Sequence, residues 1–157
     1  MKTKLRPGWV LALLCTVLFF YGFYLGGVQL VISEVSREYG QNAAGMGGLV
    51  AAQHVAAVVL PVVLGALADR IGKKPVLCIF AAGFAAGCFL AGLSKNLGVY
   101  VIGAVCVGAG YSVCESVSSA VLSELDAEKG ARYINLSQAL LSLGAVISPF
   151  LVQWLQK

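Results

Sequence analysis

Five apolar runs, each close to the length that crosses a bilayer, leave this 157-residue chain few ways to fold. A hydrocarbon core takes about 20 apolar residues per helix. Roughly 9–32, 46–68, 75–93, 98–122 and 133–155 meet that length, and the charges and turn formers gather in the breaks at 33–45, 69–74, 94–96 and 124–132. Lipid offers no partner to a bare N–H or C=O, so such runs satisfy their backbones internally as helices. The expected fold is all-α, a multipass transmembrane helix bundle of five helices spanning 1–157. Composition agrees: 59% of residues are hydrophobic and 11% charged, against about 45–50% and 25% in a soluble domain. The principal partner is therefore the lipid bilayer.

The start, Met-Lys-Thr-Lys-Leu-Arg, has the charge of a signal peptide. The run behind it is too long for a signal h-region and ends in no small-x-small cleavage site, so it reads as a retained first transmembrane helix. Basic residues favour the cytoplasmic side. A cytoplasmic N-terminus puts Lys2, Lys4, Arg6, Arg70, Lys73, Lys74, Lys129 and Arg132 inside, and only Arg37, Lys95 and Lys157 outside. That bias sets the N-terminus in the cytoplasm, and the expected location is the plasma (inner) membrane. No basic patch is interleaved with aromatics, so nucleic acid is not an expected partner. Cys15, Cys78, Cys88, Cys106 and Cys114 fall inside apolar runs without a Cys-x-x-Cys pair and read as small buried hydrophobes, with no metal site. Gly22 and Gly26 make a small-xxx-small pair suited to close helix packing.

Polar side chains at membrane depth are costly, about 2.5–3.5 kcal/mol for an ionised one on insertion scales. The chain accepts that cost most clearly at Glu115. Gly108, Tyr111, Ser112, Ser118 and Ser119 lie three, four or seven residues from it and share its helix face. A carboxyl on a small, hydroxylated stripe suits a bundle interior or aqueous cavity, where it can carry a proton reversibly; a permanently protonated interhelical hydrogen bond is the other reading. Asn135, Gln138 and Ser142 share a face of the fifth helix, and carboxamides there suit hydroxyl-rich ligands or helix contacts equally. Gln29, near Tyr21 and Tyr24, is similar. Gln53 and His54 lie in the second helix, where the histidine can titrate or serve as a neutral bundle member. These residues are the candidate lining of a substrate cavity. No nucleophile–base pair, phosphate loop or metal cluster stands out, which argues against an enzyme.

The break between the second and third runs reads Gly65-Ala-Leu-Ala-Asp69-Arg70-Ile-Gly72-Lys73-Lys74-Pro75. Gly72 can take the backbone angles of a tight turn, and Pro75 suits the first turn of the next helix. This stretch resembles the signature loop of the major facilitator superfamily, Gly-x-Leu-Ala-Asp-Arg-x-Gly followed by two basic residues. In that family the loop joins helices two and three on the cytoplasmic side and acts as a conformational latch. The resemblance gives that role to Gly65, Asp69, Arg70, Gly72, Lys73 and Lys74. Residues 110–144 look like helices four and five of the fucose permease type of sugar–proton symporter, which implies that Glu115 handles the proton or sugar hydroxyls and that Asn135 and Gln138 line the cavity. The first-helix acid of that branch is missing, Gly26, Gly27, Gln29 and Leu30 standing there instead. Gly144-Ala-Val-Ile-Ser-Pro149 partly resembles the antiporter signature of helix five, with Ser148, Val152 and Gln153 where that signature has glycines.

What these resemblances imply is a secondary active transporter that takes up a sugar or other small solute with protons by alternating access. The proton gradient drives it and no bound cofactor is needed. Members have twelve helices in two halves, so the chain reads as a partial N-terminal half whose partner is a missing C-terminal half or a complementary chain. The alternatives are a drug–proton antiporter fragment and a non-transporting membrane scaffold or half-subunit.

Overall fold

The computed structural model describes residues 7–155, apart from the side chains at 43, 52 and 65–67. Among the described residues there are five helices: α1 (Pro7–Glu38), α2 (Ala43–Ile71), α3 (Lys73–Gly92), α4 (Leu97–Leu125) and α5 (Gly130–Leu155). Each holds a segment long and apolar enough to cross a membrane. The all-α, multipass class expected from the apolar runs is the class found.

The helices outrun the apolar runs. Ser33–Glu38 continues α1, and Asp69–Ile71 continues α2 through half of the charged break. Hydrophobicity marks where lipid ends, whereas helical hydrogen bonds continue until a cap or a breaker stops them. Gly40, at φ 60°, ends α1, and the Asn42 side chain caps α2 by accepting from the Gly45 N–H at 2.8 Å. Asn96 does the same for α4, accepting from Val99 N–H at 2.9 Å. The expected turn over 69–74 shrinks to one residue. Gly72, at φ 98°, donates its N–H to the Ala68 carbonyl at 3.0 Å, and Lys73, Lys74 and Pro75 already form the first turn of α3. Asp126 closes the last turn by accepting from the N–H groups of Glu128 and Lys129 at 3.1 and 3.2 Å.

Contacts divide the chain into two units, Met1–Ile32 with Ser119–Lys157 and, separately, Ser33–Ser118. In the first, α1 and α5 meet along a glycine seam. A Cβ on Gly22 would strike the Leu141 carbonyl, one on Gly26 the Ala145 carbonyl, and one on Gly144 the Phe19 carbonyl. The offset between partners hardly changes along the seam, so the two helices run parallel. Pro149 has no N–H for the Ala145 carbonyl four residues earlier. Gly26 of α1 lies against that same oxygen. The packing role read for Gly22 and Gly26 is what the seam uses.

In the second unit α3 and α4 run antiparallel. Gly87 of α3 meets Gly103 and Val107, and Gly110 of α4 meets Phe80 and Phe84. Toward the α2–α3 end, the Cys114 thiol donates to the Leu77 carbonyl at 3.7 Å. Val76, Val107, Val113 and Val117 form the buried apolar centre. The thiols divide where burial was expected throughout: Cys15 and Cys114 are buried, Cys88 and Cys106 half-buried, and Cys78 exposed. Cys78 lies off the α3 face that packs on α4.

Candidate functional site

Two faces of α4 have different duties. Gly103, Val107, Gly110 and Cys114, spaced four, three and four residues apart, take α3. Gly108 lies on a second face and takes α2: a Cβ there would strike the Gln53 carbonyl and come within 2.9 Å of Gln53 Cγ. Glu115 follows Gly108 by two turns and points within about 20° of it. Tyr111 stands between them, and its hydroxyl donates to the Glu115 carboxylate one turn along. Another turn on, the Ser118 hydroxyl is fully buried and makes no hydrogen bond. Tyr111, Glu115 and Ser118 thus form a polar ladder up one side of α4. Glu115 sits about 15 Å from the C-terminal end of α4 at 1.5 Å per residue, well inside a membrane-spanning helix.

The surroundings of the ladder are apolar. The partly buried side of α2 carries Gln53, Ala56, Ala57, Leu60, Pro61 and Leu64.

The remaining candidates are placed as follows. Gln53 is half-buried beneath Gly108, so the crossing brings it and the Tyr111–Glu115 pair onto one side of α4. His54 is exposed, and its Nδ1 lies 2.8 Å from the Val50 carbonyl, a geometry in which the ring donates. It shares its face with Val58 and Val62, which are 70% and 78% exposed, an apolar stripe and not the Gln53 side. In the other unit Asn135 is exposed and Gln138 half-buried; Ser142 Oγ donates to the Gln138 carbonyl at 2.9 Å, binding it to its own helix. Gln29 is exposed on α1. At the α2–α3 turn Asp69, Arg70 and Lys74 are exposed and Lys73 half-buried. Gly65 falls within α2 at a position outside the described side-chain surroundings, and Lys2, Lys4, Arg6 and Lys157 lie outside the described residues.

Spacing along α4 was enough to find Tyr111, Glu115 and Ser118. The crossing that joins them to Gln53 left one local trace, a glycine within the polar stripe. Nothing in the sequence pairs Tyr39 with Ser94, whose hydrogen bond ties the α1–α2 turn to the α3–α4 turn.

Residues 12–156 match the Major Facilitator Superfamily. The chain belongs to that superfamily. As a major facilitator chain it is an integral, multipass membrane protein of a family of transporters. Among its curated relatives, the chloramphenicol resistance protein CraA of Acinetobacter baumannii is 28% identical over 148 residues, 90% of this chain and 36% of that protein. The class H tetracycline resistance protein of Pasteurella multocida is 28% identical over 145 residues, again 90% of this chain and 36% of the relative. A multidrug resistance protein MdtL of Vibrio parahaemolyticus is 30% identical over 86 residues, 54% of this chain and 22% of that protein. The chain thus spans about a third or less of these relatives. No solved structure matches it.

Proposed function

We propose that this major facilitator chain supplies part of the N-terminal half of a proton-coupled transporter working by alternating access, with Glu115 as the proton carrier. The observation that carries the reading is the Tyr111–Glu115 hydrogen bond inside α4. Protonation removes the charge that makes a buried carboxylate costly, so the loaded and empty carriers differ in how easily they change sides. Within the unit that holds Glu115, Gln53 and Tyr111 are proposed to face the solute; in the other unit Gln29, Asn135 and Gln138 are proposed, separately, as solute-facing polar groups, and His54, on the exposed apolar stripe of α2, is left out.

The transported solute is proposed from two sources. Two relatives that each span 90% of the chain are named for chloramphenicol and tetracycline resistance, which favours exchange of protons for amphipathic organic compounds. Uptake of a sugar with protons, as in the fucose permease type, is the second reading. It is favoured by Asn135 and Gln138, whose three-residue spacing sets two carboxamides on one side of α5.

The 65–75 stretch is proposed as a latch on the cytoplasmic face of the inner membrane, closing against a second half in the same polypeptide or a separate chain. Local electrostatics support a role beyond its own helices. Lys73 and Lys74 stand at the N-terminus of α3, which has no acidic residue in its first turn. The helix dipole disfavours cations at that end, so the lysines add little to α3 itself, which supports a role elsewhere.

The test is proton-driven flux by a full-length transporter carrying this sequence, with labelled chloramphenicol, tetracycline and monosaccharides as substrates. Glu115→Gln is expected to abolish coupled flux and leave exchange down a solute gradient measurable. Coupled flux that survives the substitution unchanged overturns the role of Glu115.

A further inference from the structure

The α4 ladder contains a donor and a vacant acceptor on opposite sides of one carboxyl. Tyr111 lies one turn before Glu115 and donates to it. Ser118 lies one turn after, 0% exposed, and its hydroxyl makes no hydrogen bond. A buried hydroxyl left bare is disfavoured by about 1–3 kcal/mol, so a second arrangement that occupies it is accessible at little added cost. A carboxylate only accepts hydrogen bonds, whereas a carboxylic acid also donates one.

We infer that Tyr111 and Ser118 are positioning residues for the two protonation states of Glu115: Tyr111 donates to the carboxylate, and Ser118 accepts from the carboxylic acid. Proton uptake turns the carboxyl from the Tyr111 side of α4 to the Ser118 side, and the two hydroxyls together set the pH at which the carrier loads. This inference rests on the carrier role proposed above.

The partly buried side of α2 presents the neutral Gln53 and no ionisable side chain, while His54 is on the exposed side. The side of α3 that meets α4 carries Leu77, Phe80, Phe84 and Gly87. Cys88 lies beside them, more than two turns towards the other end. One turn before Leu77, Lys73 is half-buried at the level of Ser118, and it is the cation that α3 brings to this end of α4. Lys73 is retained in every variant compared.

The experiment is infrared spectroscopy of the chain in phosphatidylcholine vesicles, following the carboxylic-acid C=O band as pH is varied and assigning it by its loss in Glu115→Gln. Removing the donor disfavours the carboxylate, so Tyr111→Phe is expected to move the midpoint to higher pH by about one unit, tenfold in proton affinity. Removing the acceptor disfavours the acid, so Ser118→Ala is expected to move it to lower pH by a smaller amount. General loosening of the helix would move both variants the same way. Shifts of one sign, or no shift in either variant, overturn this inference while leaving the carrier role standing. A Glu115 band that stays constant between about pH 4 and pH 10 overturns the carrier role and this inference with it.

Discussion

The Tyr39 hydroxyl, in the turn between α1 and α2, donates to the Ser94 carbonyl in the turn between α3 and α4, 3.1 Å away and 55 residues along the chain. It also meets Ser94 Oγ, which in turn lies 2.8 Å from the Ala91 carbonyl. The Tyr39 ring packs on Tyr100 with centroids 5.5 Å apart. Two connections expected on one side of the membrane are thus tied to each other. Tyr39→Phe keeps the ring contact and removes the hydrogen bonds. A net loss of about 0.5–1.5 kcal/mol per bond is expected, read as a lower unfolding temperature in detergent and faster amide exchange around Ser94.

The α1–α5 seam has no room for a methyl group. Gly22→Ala and Gly26→Ala would each push a carbon into a backbone carbonyl of α5, and overpacking of this kind costs about 1–3 kcal/mol. Gly83→Ala in α3 is the contrast, because nothing lies within 4 Å of the added carbon. There the better helix propensity of alanine should stabilise by about 0.5–1 kcal/mol. Thermal unfolding of the three variants in one detergent checks both signs.

Gly72 stands at φ 98° and ψ 144°, a region essentially reserved for glycine. Gly72→Ala is expected to cost about 1–3 kcal/mol and to loosen the one-residue joint between α2 and α3. A cysteine pair across that joint should cross-link over a broader range of spacer lengths in the variant. An unchanged range would count against the strain.

Acid should release the α4–α5 turn. Desolvation pushes the Asp126 carboxyl up, but the N–H groups of Lys129 and Glu128 and the Lys129 ammonium outweigh it and hold the group below the ordinary aspartate value. The ammonium is 3.4 Å from Asp126 Oδ2. A lowered folded value contributes stability that is full above the unfolded value, about 3.9, and is lost as pH falls through the folded value. Protection of the Glu128 and Lys129 amides, taken relative to intrinsic exchange at each pH, should therefore fall on acidification below about pH 4, and Asp126→Asn should remove most of that fall.

Several features could be read without coordinates because each depends on neighbours in sequence. An apolar run of about 20 residues has one way to cross lipid, Gly72 has one residue's freedom to supply, and Tyr111 and Glu115 meet because four residues make about one turn. Other features depend on chain segments far apart. The position of His54 beside Val58 and Val62 follows from which side of α2 meets α4, and both sides are apolar enough to serve. Gln53 comes under Gly108 by a helix crossing, and the bare hydroxyl of Ser118 is a property of what surrounds it. The helices run on through Ser33–Glu38 and Asp69–Ile71, past the apolar runs, because polarity marks the membrane boundary and not the limit of hydrogen bonding.

The parallel seam of α1 on α5 also sets a schedule. Leu141 leaves the ribosome about 120 residues after Gly22, and at about 5–20 residues per second that interval is roughly 6–24 seconds. Through all of it α1 is in the bilayer with Gly22 and Gly26 uncovered, open to whichever small-residue helix diffuses past. Errors of assembly in this protein should therefore begin at its first helix, and slower elongation across α2–α4 should make them more frequent.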